Sequence, residues 1–171
     1  MSYLIVFDVE TTGLSKENDE ILKLSIIDGD YNVLFDSFIK PSKVNSWEDA
    51  ERIHGITPDM VKDAPFFEEV KDKVQEIFND ASVMVAYNGD FDIGFLSNVG
   101  IRIPNIKYHD VMYEFAPIYG EYSNYHQNFK WQRLEKAAWC YGYEFKAHDS
   151  LEDVKATLFV FYKMREGLCP N

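Results

Sequence analysis

Four acids and one histidine occupy positions where chemistry could be done. Asp8 and Glu10 close the apolar run Tyr3-Leu4-Ile5-Val6-Phe7. Alternate residues of a strand share a face, so the two carboxylates point the same way, roughly 7 Å apart along the backbone. They stand at the carboxyl end of the most apolar strand, where open α/β sheets bind ligands. A carboxylate in apolar surroundings needs a partner, a raised pKa or a metal ion. A strand running out into the polar turn Thr11-Thr12-Gly13 accounts for Glu10 easily and for Asp8 less well.

Asp92 breaks a local rule more sharply. At about 100° per residue, Phe91, Phe95, Leu96 and Val99 form one arc of a helix over 91–99, and Asp92 falls inside it. A first-turn acid complementing the helix dipole is the structural alternative. Asp153 repeats the pattern on a last helix over 151–166. Glu152, Lys155, Lys163 and Glu166 form its solvent stripe, and Asp153 lies about 120° away. Here the structural alternative is a capping box starting at Ser150, with Asp153 as its reciprocal partner. Four converging carboxylates would repel one another without cations. All-oxygen ligands select hard ions, hence Mg²⁺ or Mn²⁺ and not Zn²⁺. Two ions about 3.5–4 Å apart suit an in-line phosphoryl displacement, one activating water and the other stabilising the leaving oxygen. His148 lies five residues before Asp153. Imidazole takes protons near neutral pH, which makes His148 the candidate general base. His54, His109 and His126 have no such relation to a candidate ligand.

Together these residues resemble the DEDD (DnaQ-like) 3′→5′ exonuclease superfamily, in its histidine-bearing branch. Asp8-Val9-Glu10-Thr11-Thr12-Gly13-Leu14 is similar to the family's first motif. Asn88-Gly89-Asp90-Phe91-Asp92-Ile93-Gly94-Phe95-Leu96 is similar to the second, and His148-Asp149-Ser150-Leu151-Glu152-Asp153 to the third. Ile53-His54-Gly55-Ile56-Thr57 resembles a further segment near the substrate 3′ end. The resemblance implies an α/β, RNase H-like fold with a five-stranded mixed sheet flanked by helices. It implies two-metal hydrolysis from a free 3′ end, releasing nucleoside 5′-monophosphates. Asp8, Glu10, Asp92 and Asp153 would be the metal ligands. Leu14 and Ile53 would wedge against terminal bases, and Thr11 and His54 would contact the terminal nucleotide. Leu14 and Ile53 could equally be core residues. Where relatives often carry His before the second motif's Asn, this chain has Tyr87; the expected consequence is altered packing around Asp92.

The elements that must position these residues read as one domain over 1–171, with no repeat or linker. Strands are expected at 3–10, 21–29, 32–39, 82–87 and 106–109. Helical pieces are expected over 46–62, and helices over 66–79, 91–99, 111–119, 129–141 and 151–166. Strands first, then strands alternating with helices, indicate a mixed α/β sheet. Residues 120–128 read as a polar, Tyr-rich loop. With neighbouring Phe129, Lys130 and Trp131 it would suit base stacking on a single strand, or packing on its own domain.

The formal net charge of −12 argues against a broad duplex-binding surface and favours a grip on one strand end. Joined to the 3′→5′ exonuclease activity that the resemblance implies, this makes single-stranded DNA with a free 3′ end the expected substrate. No apolar run spans a bilayer, and the start reads as a strand, not a signal peptide. Cys140 and Cys169 provide no disulfide framework, so a cytoplasmic setting is expected. A polymerase partner or a homodimer fits the relatives' habits, and proofreading would need such a partner because no polymerase domain is present. Two rivals remain: a 3′→5′ exoribonuclease, since discrimination rests on unseen 2′-hydroxyl contacts, and a non-catalytic module that binds nucleic acid or protein on the same fold. The second would have no reason to keep five reactive positions. No phosphate-loop or dinucleotide fingerprint appears.

Overall fold

The apolar run that ends in Asp8 forms the central strand. β1 (Tyr3–Thr11) pairs antiparallel with β2 (Ile21–Asp28), which pairs antiparallel with β3 (Val33–Phe38). On its other side β1 runs parallel to β4 (Ala81–Ala86), and β4 runs parallel to β5 (Lys107–Asp110). The order is β3-β2-β1-β4-β5, the expected five-stranded mixed sheet. The computed structural model describes residues 3–167; Cys169 lies outside them.

Strand alternation divides the core. Ile5, Phe7 and Val9 pack on one face with α3 (Phe67–Asp80) and α4 (Gly89–Asn98). Phe7 meets Phe78 with ring centroids 5.3 Å apart. Val6 faces the other way, into a core with α5 (Val111–Tyr119), α6 (Leu134–Cys140) and α7 (Ser150–Arg165). Asp8 and Glu10 share the parity of Val6, so β1 delivers both acids to the face that α7 covers.

A smaller core fixes α1 (Glu48–His54) and α2 (Pro58–Val61). α1 buries none of its own residues, and the preceding Trp47 anchors it. Trp47 packs with Leu22, Ile56 and Val61, and its Nε1 donates to the Ile56 carbonyl at 2.7 Å.

Two expectations and one structural alternative fail. Residues 129–133 are not helical: Asn128–Phe129 forms β7, paired antiparallel with β6 (Tyr122–Ser123), so the expected loop is a small hairpin. α6 begins only at Leu134, because Gln132 is buried as a tie instead: its Nε2 donates to Glu121 and its carbonyl accepts from Tyr87. The capping box at Ser150 is also absent. Asp149 caps α7 by accepting from the Leu151 N–H at 3.2 Å, while Ser150 is buried against Ser25. No helix of the described residues is long and apolar enough to cross a membrane.

Candidate active site

β1 holds Asp8 and Glu10, and two ties from β2 bring α7 to them. Lys23 Nζ meets Asp149 Oδ1 at 2.6 Å, and Ser25 and Ser150 share a buried hydroxyl contact at 2.6 Å. One turn into α7, Asp153 faces the strand acids. One carboxylate oxygen from each of Asp8, Glu10 and Asp153 lies within 4.8 Å of the other two. Asp92 arrives from α4 on the opposite face of the sheet. Only 3% exposed, it accepts the Val9 N–H at 2.8 Å through Oδ1. It stands beside the trio with one oxygen committed to the backbone.

The loop that launches α4 is built to bring Asp92 in. Asn88 takes a left-handed conformation (φ 60°), and a Cβ at Gly89 would collide with the Tyr108 hydroxyl and Ala86. Asp110 then accepts the N–H groups of Asn88, Gly89 and Met112 at 2.9–3.1 Å, joining this loop to the start of α5. His148 also has positive φ (64°) and is exposed on the cleft. Its backbone N–H donates to Asp153 Oδ2 at 3.2 Å, leaving the imidazole free of that bond.

Burial, then repulsion from Asp92, Glu10 and Asp153, holds the Asp8 carboxyl well above the usual range. Burial and Asp153 push Glu10 up to about 8. Asp92 rises to about 8 through burial, against the lowering effect of the Val9 N–H. Asp153 rises to about 7, again through burial first. Lys23 is the opposing charge, lowering Asp8 and Glu10. The donor set fits a hard divalent cation, and one observation is specific. Asp153 Oδ1 is buried with no hydrogen-bond partner among the described residues, a costly state that a cation would relieve.

These shifts carry a sign. With carboxyls raised in the folded state, the fold binds more protons than the unfolded chain between roughly pH 4 and the folded values of about 7–8. In EDTA, stability contributed by the protonated cluster is full at the acid end and is lost as pH rises through that window. Thermal melts from pH 5 to 8 should show a falling Tm, less steep in Asp8→Asn. A wild-type Tm that rises across this range would contradict the raised values.

The four acids line one cleft of about 720 Å³ with His148, Leu14 and Ile53. Leu14 is 86% exposed and Ile53 61% exposed, which removes the core alternative for both. Thr11 and His54 stand one step back and do not line this cleft. Thr11 Oγ1 donates to the Gly13 carbonyl at 2.6 Å. His54 Nδ1 accepts from the Ile56 N–H, which leaves Nε2 to donate to the Thr11 carbonyl at 3.1 Å. The pair fixes α1, and so Ile53, against the end of β1. Tyr87 ties down the chain segment that follows the hairpin: its hydroxyl donates to the Gln132 carbonyl at 2.8 Å.

Lys23 was missed in the sequence reading. It sits opposite Glu10 in the β1–β2 register and pairs with Asp36 and Asp149. Its signal was a lysine inside the Ile21–Ile27 strand, where Ser25 is the other polar residue, an anomaly like that of Asp8 in β1.

A mixed sheet with clustered carboxylates at the end of its central strand defines a nuclease-type site. The RNase T exonuclease family model matches residues 5–161, and the chain belongs to that family, within the DEDD superfamily. It is 33% identical over 173 residues to the PolC-type DNA polymerase III of Caldanaerobacter subterraneus, and 35% identical over 172 residues to that of Staphylococcus saprophyticus. Each alignment covers 96% of this chain but only 12% and 11% of those polymerases. Among solved structures, E. coli Exonuclease I in complex with a dA16 oligonucleotide superposes with a TM-score of 0.78 over 98% of this chain and 42% of that one, at 21% identity. Exonuclease I of Methylocaldum szegediense gives 0.75 at 23% identity, over 97% and 41%. The fold is RNase H-like, as expected.

Proposed function

We propose that residues 1–171 act as one metal-dependent 3′→5′ exonuclease domain that removes nucleoside 5′-monophosphates from single-stranded DNA. The observation that carries this is the convergence of Asp8, Glu10 and Asp153, whose buried Oδ1 has no hydrogen-bond partner among the described residues, on a cleft that also holds His148 and Asp92. Asp8, Glu10, Asp92 and Asp153 are the residues that would hold two Mg²⁺ or Mn²⁺ ions. Bound there, the ions would supply Lewis-acid charge on the attacking and leaving oxygens of the phosphodiester.

The chain's own groups do the rest. His148 accepts the proton of the attacking water as its oxygen bonds to phosphorus and the 3′-oxygen departs. It is exposed on the cleft, and its backbone N–H supports Asp153. Leu14 and Ile53 present apolar surface to unstacked terminal bases. Thr11 and His54 hold the β1 end and α1 at the spacing the terminal nucleotide requires. Lys23 limits repulsion while keeping its charge behind Glu10.

Exonuclease I has been solved with single-stranded oligodeoxynucleotides, and the polymerase relatives favour a proofreading or repair context with a polymerase partner. The acidic composition favours a single strand over a duplex. A digestion panel of single-stranded DNA, duplex DNA and RNA tests the substrate. Single-stranded DNA should be degraded fastest, with duplex well behind. Equal or faster loss of RNA would reassign the enzyme as an exoribonuclease.

A further inference from the structure

The hairpin that replaces the expected loop presents its aromatic side chains to solvent. Tyr125 is 90% exposed and Trp131 58% exposed. Tyr122 packs edge-on against Phe129 at 5.4 Å, which stiffens the hairpin. Tyr113 braces Trp131 edge-on at 5.2 Å. A second cavity of about 530 Å³ lies here, lined by Tyr125, Phe129, Lys130 and Trp131 among others. Trp131 also lines the carboxylate cleft, so the two cavities share it as a wall. Arg133 is exposed on the cleft side of that junction and makes no ion pair among the described residues. Tyr87 and Glu121 hold the segment in place through Gln132.

From this continuity we infer that the hairpin is a stacking track for the single strand upstream of the nucleotide being removed, with Trp131 and Tyr125 taking successive unpaired bases and Arg133 a phosphate. The inference rests on the exonuclease reading of the cleft for its direction. Ring faces accept any base, so the track reads strandedness and not sequence. It also reconciles a chain of net charge −12 with a polyanionic substrate. Stacking and one unpaired arginine replace a broad basic surface. A duplex, with its bases already stacked, cannot use it.

The test is fluorescence anisotropy of 5′-fluorescein oligo(dT), about 16 nucleotides long, and of the labelled trinucleotide, both in EDTA. Wild type should bind the long strand more tightly. Tyr125→Ala should weaken long-strand binding about tenfold and leave the trinucleotide Kd unmoved. Trp131→Ala should weaken both. Tyr125→Phe, which keeps the ring, should retain wild-type affinity. Trp139→Ala is the control: equally exposed at 61% but on neither cavity, it should change nothing. Equal affinity of wild type for both lengths, or an unchanged long-strand Kd in Tyr125→Ala, overturns the track. So does a dimer that Tyr125→Ala dissolves without altering strand affinity, which would assign the patch to a second copy. Length-dependent, Tyr125-sensitive binding by a protein that digests nothing would sustain the track and sink the exonuclease reading.

Discussion

Replacing His148 with asparagine should lower turnover roughly 10²–10⁴-fold while leaving metal binding nearly intact. Asparagine is the informative substitute because it tolerates the left-handed backbone that His148 adopts (φ 64°). The backbone N–H that supports Asp153 also survives the change. Asp153→Ala should behave differently, losing both turnover and metal affinity, since it removes the buried oxygen that has no hydrogen-bond partner among the described residues. Single-turnover kinetics paired with calorimetric Mn²⁺ titration separates the two variants. Near-normal chemistry in His148→Asn at neutral pH would take His148 out of the mechanism.

The second large effect is on stability. Metal binding to the folded chain alone should stabilise it by about 2.7 kcal/mol per site at 100 times the dissociation constant. For a chain of this size that is roughly 5–11 °C in Tm. Asp8→Asn should lose most of the response. It should also melt above wild type in EDTA, because it takes away a charge that burial and the neighbouring acids Asp92, Glu10 and Asp153 disfavour, without removing volume. Glu152→Gln is the control: Glu152 pairs with Lys155 at 2.8 Å on the outer side of α7, and the metal response should persist. The melts are run at fixed ionic strength. A wild-type Tm indifferent to several millimolar of either ion would favour the non-catalytic module.

The acids were legible in the sequence because burial makes each of them anomalous. Asp8 in β1 and Asp92 in the apolar arc of α4 violate periodicity, and periodicity is what a sequence displays best. The sheet was legible for the same reason. What stayed hidden depends on long-range partners. A helix was expected from Phe129, yet β6 claims Phe129 and its neighbour. Ser150 has the chemistry of a cap, but Ser25, distant in sequence, takes its hydroxyl and leaves the cap to Asp149. Leu14 and Ile53 could not be told from core residues by hydrophobicity alone; their exposure follows from the Asp19-held turn and from Trp47 anchoring α1.

The central claim is that the acid cluster drives removal of nucleotides from a 3′ end. The most direct measurement is digestion of 5′-end-labelled single-stranded DNA with Mg²⁺ or Mn²⁺, sampled in time beside an EDTA control. The account predicts a ladder of labelled strands shortening one nucleotide at a time, silent in EDTA and slowed by a 3′-phosphate. Release of the label as a mononucleotide at the earliest times, or shortening that persists in EDTA, would contradict it.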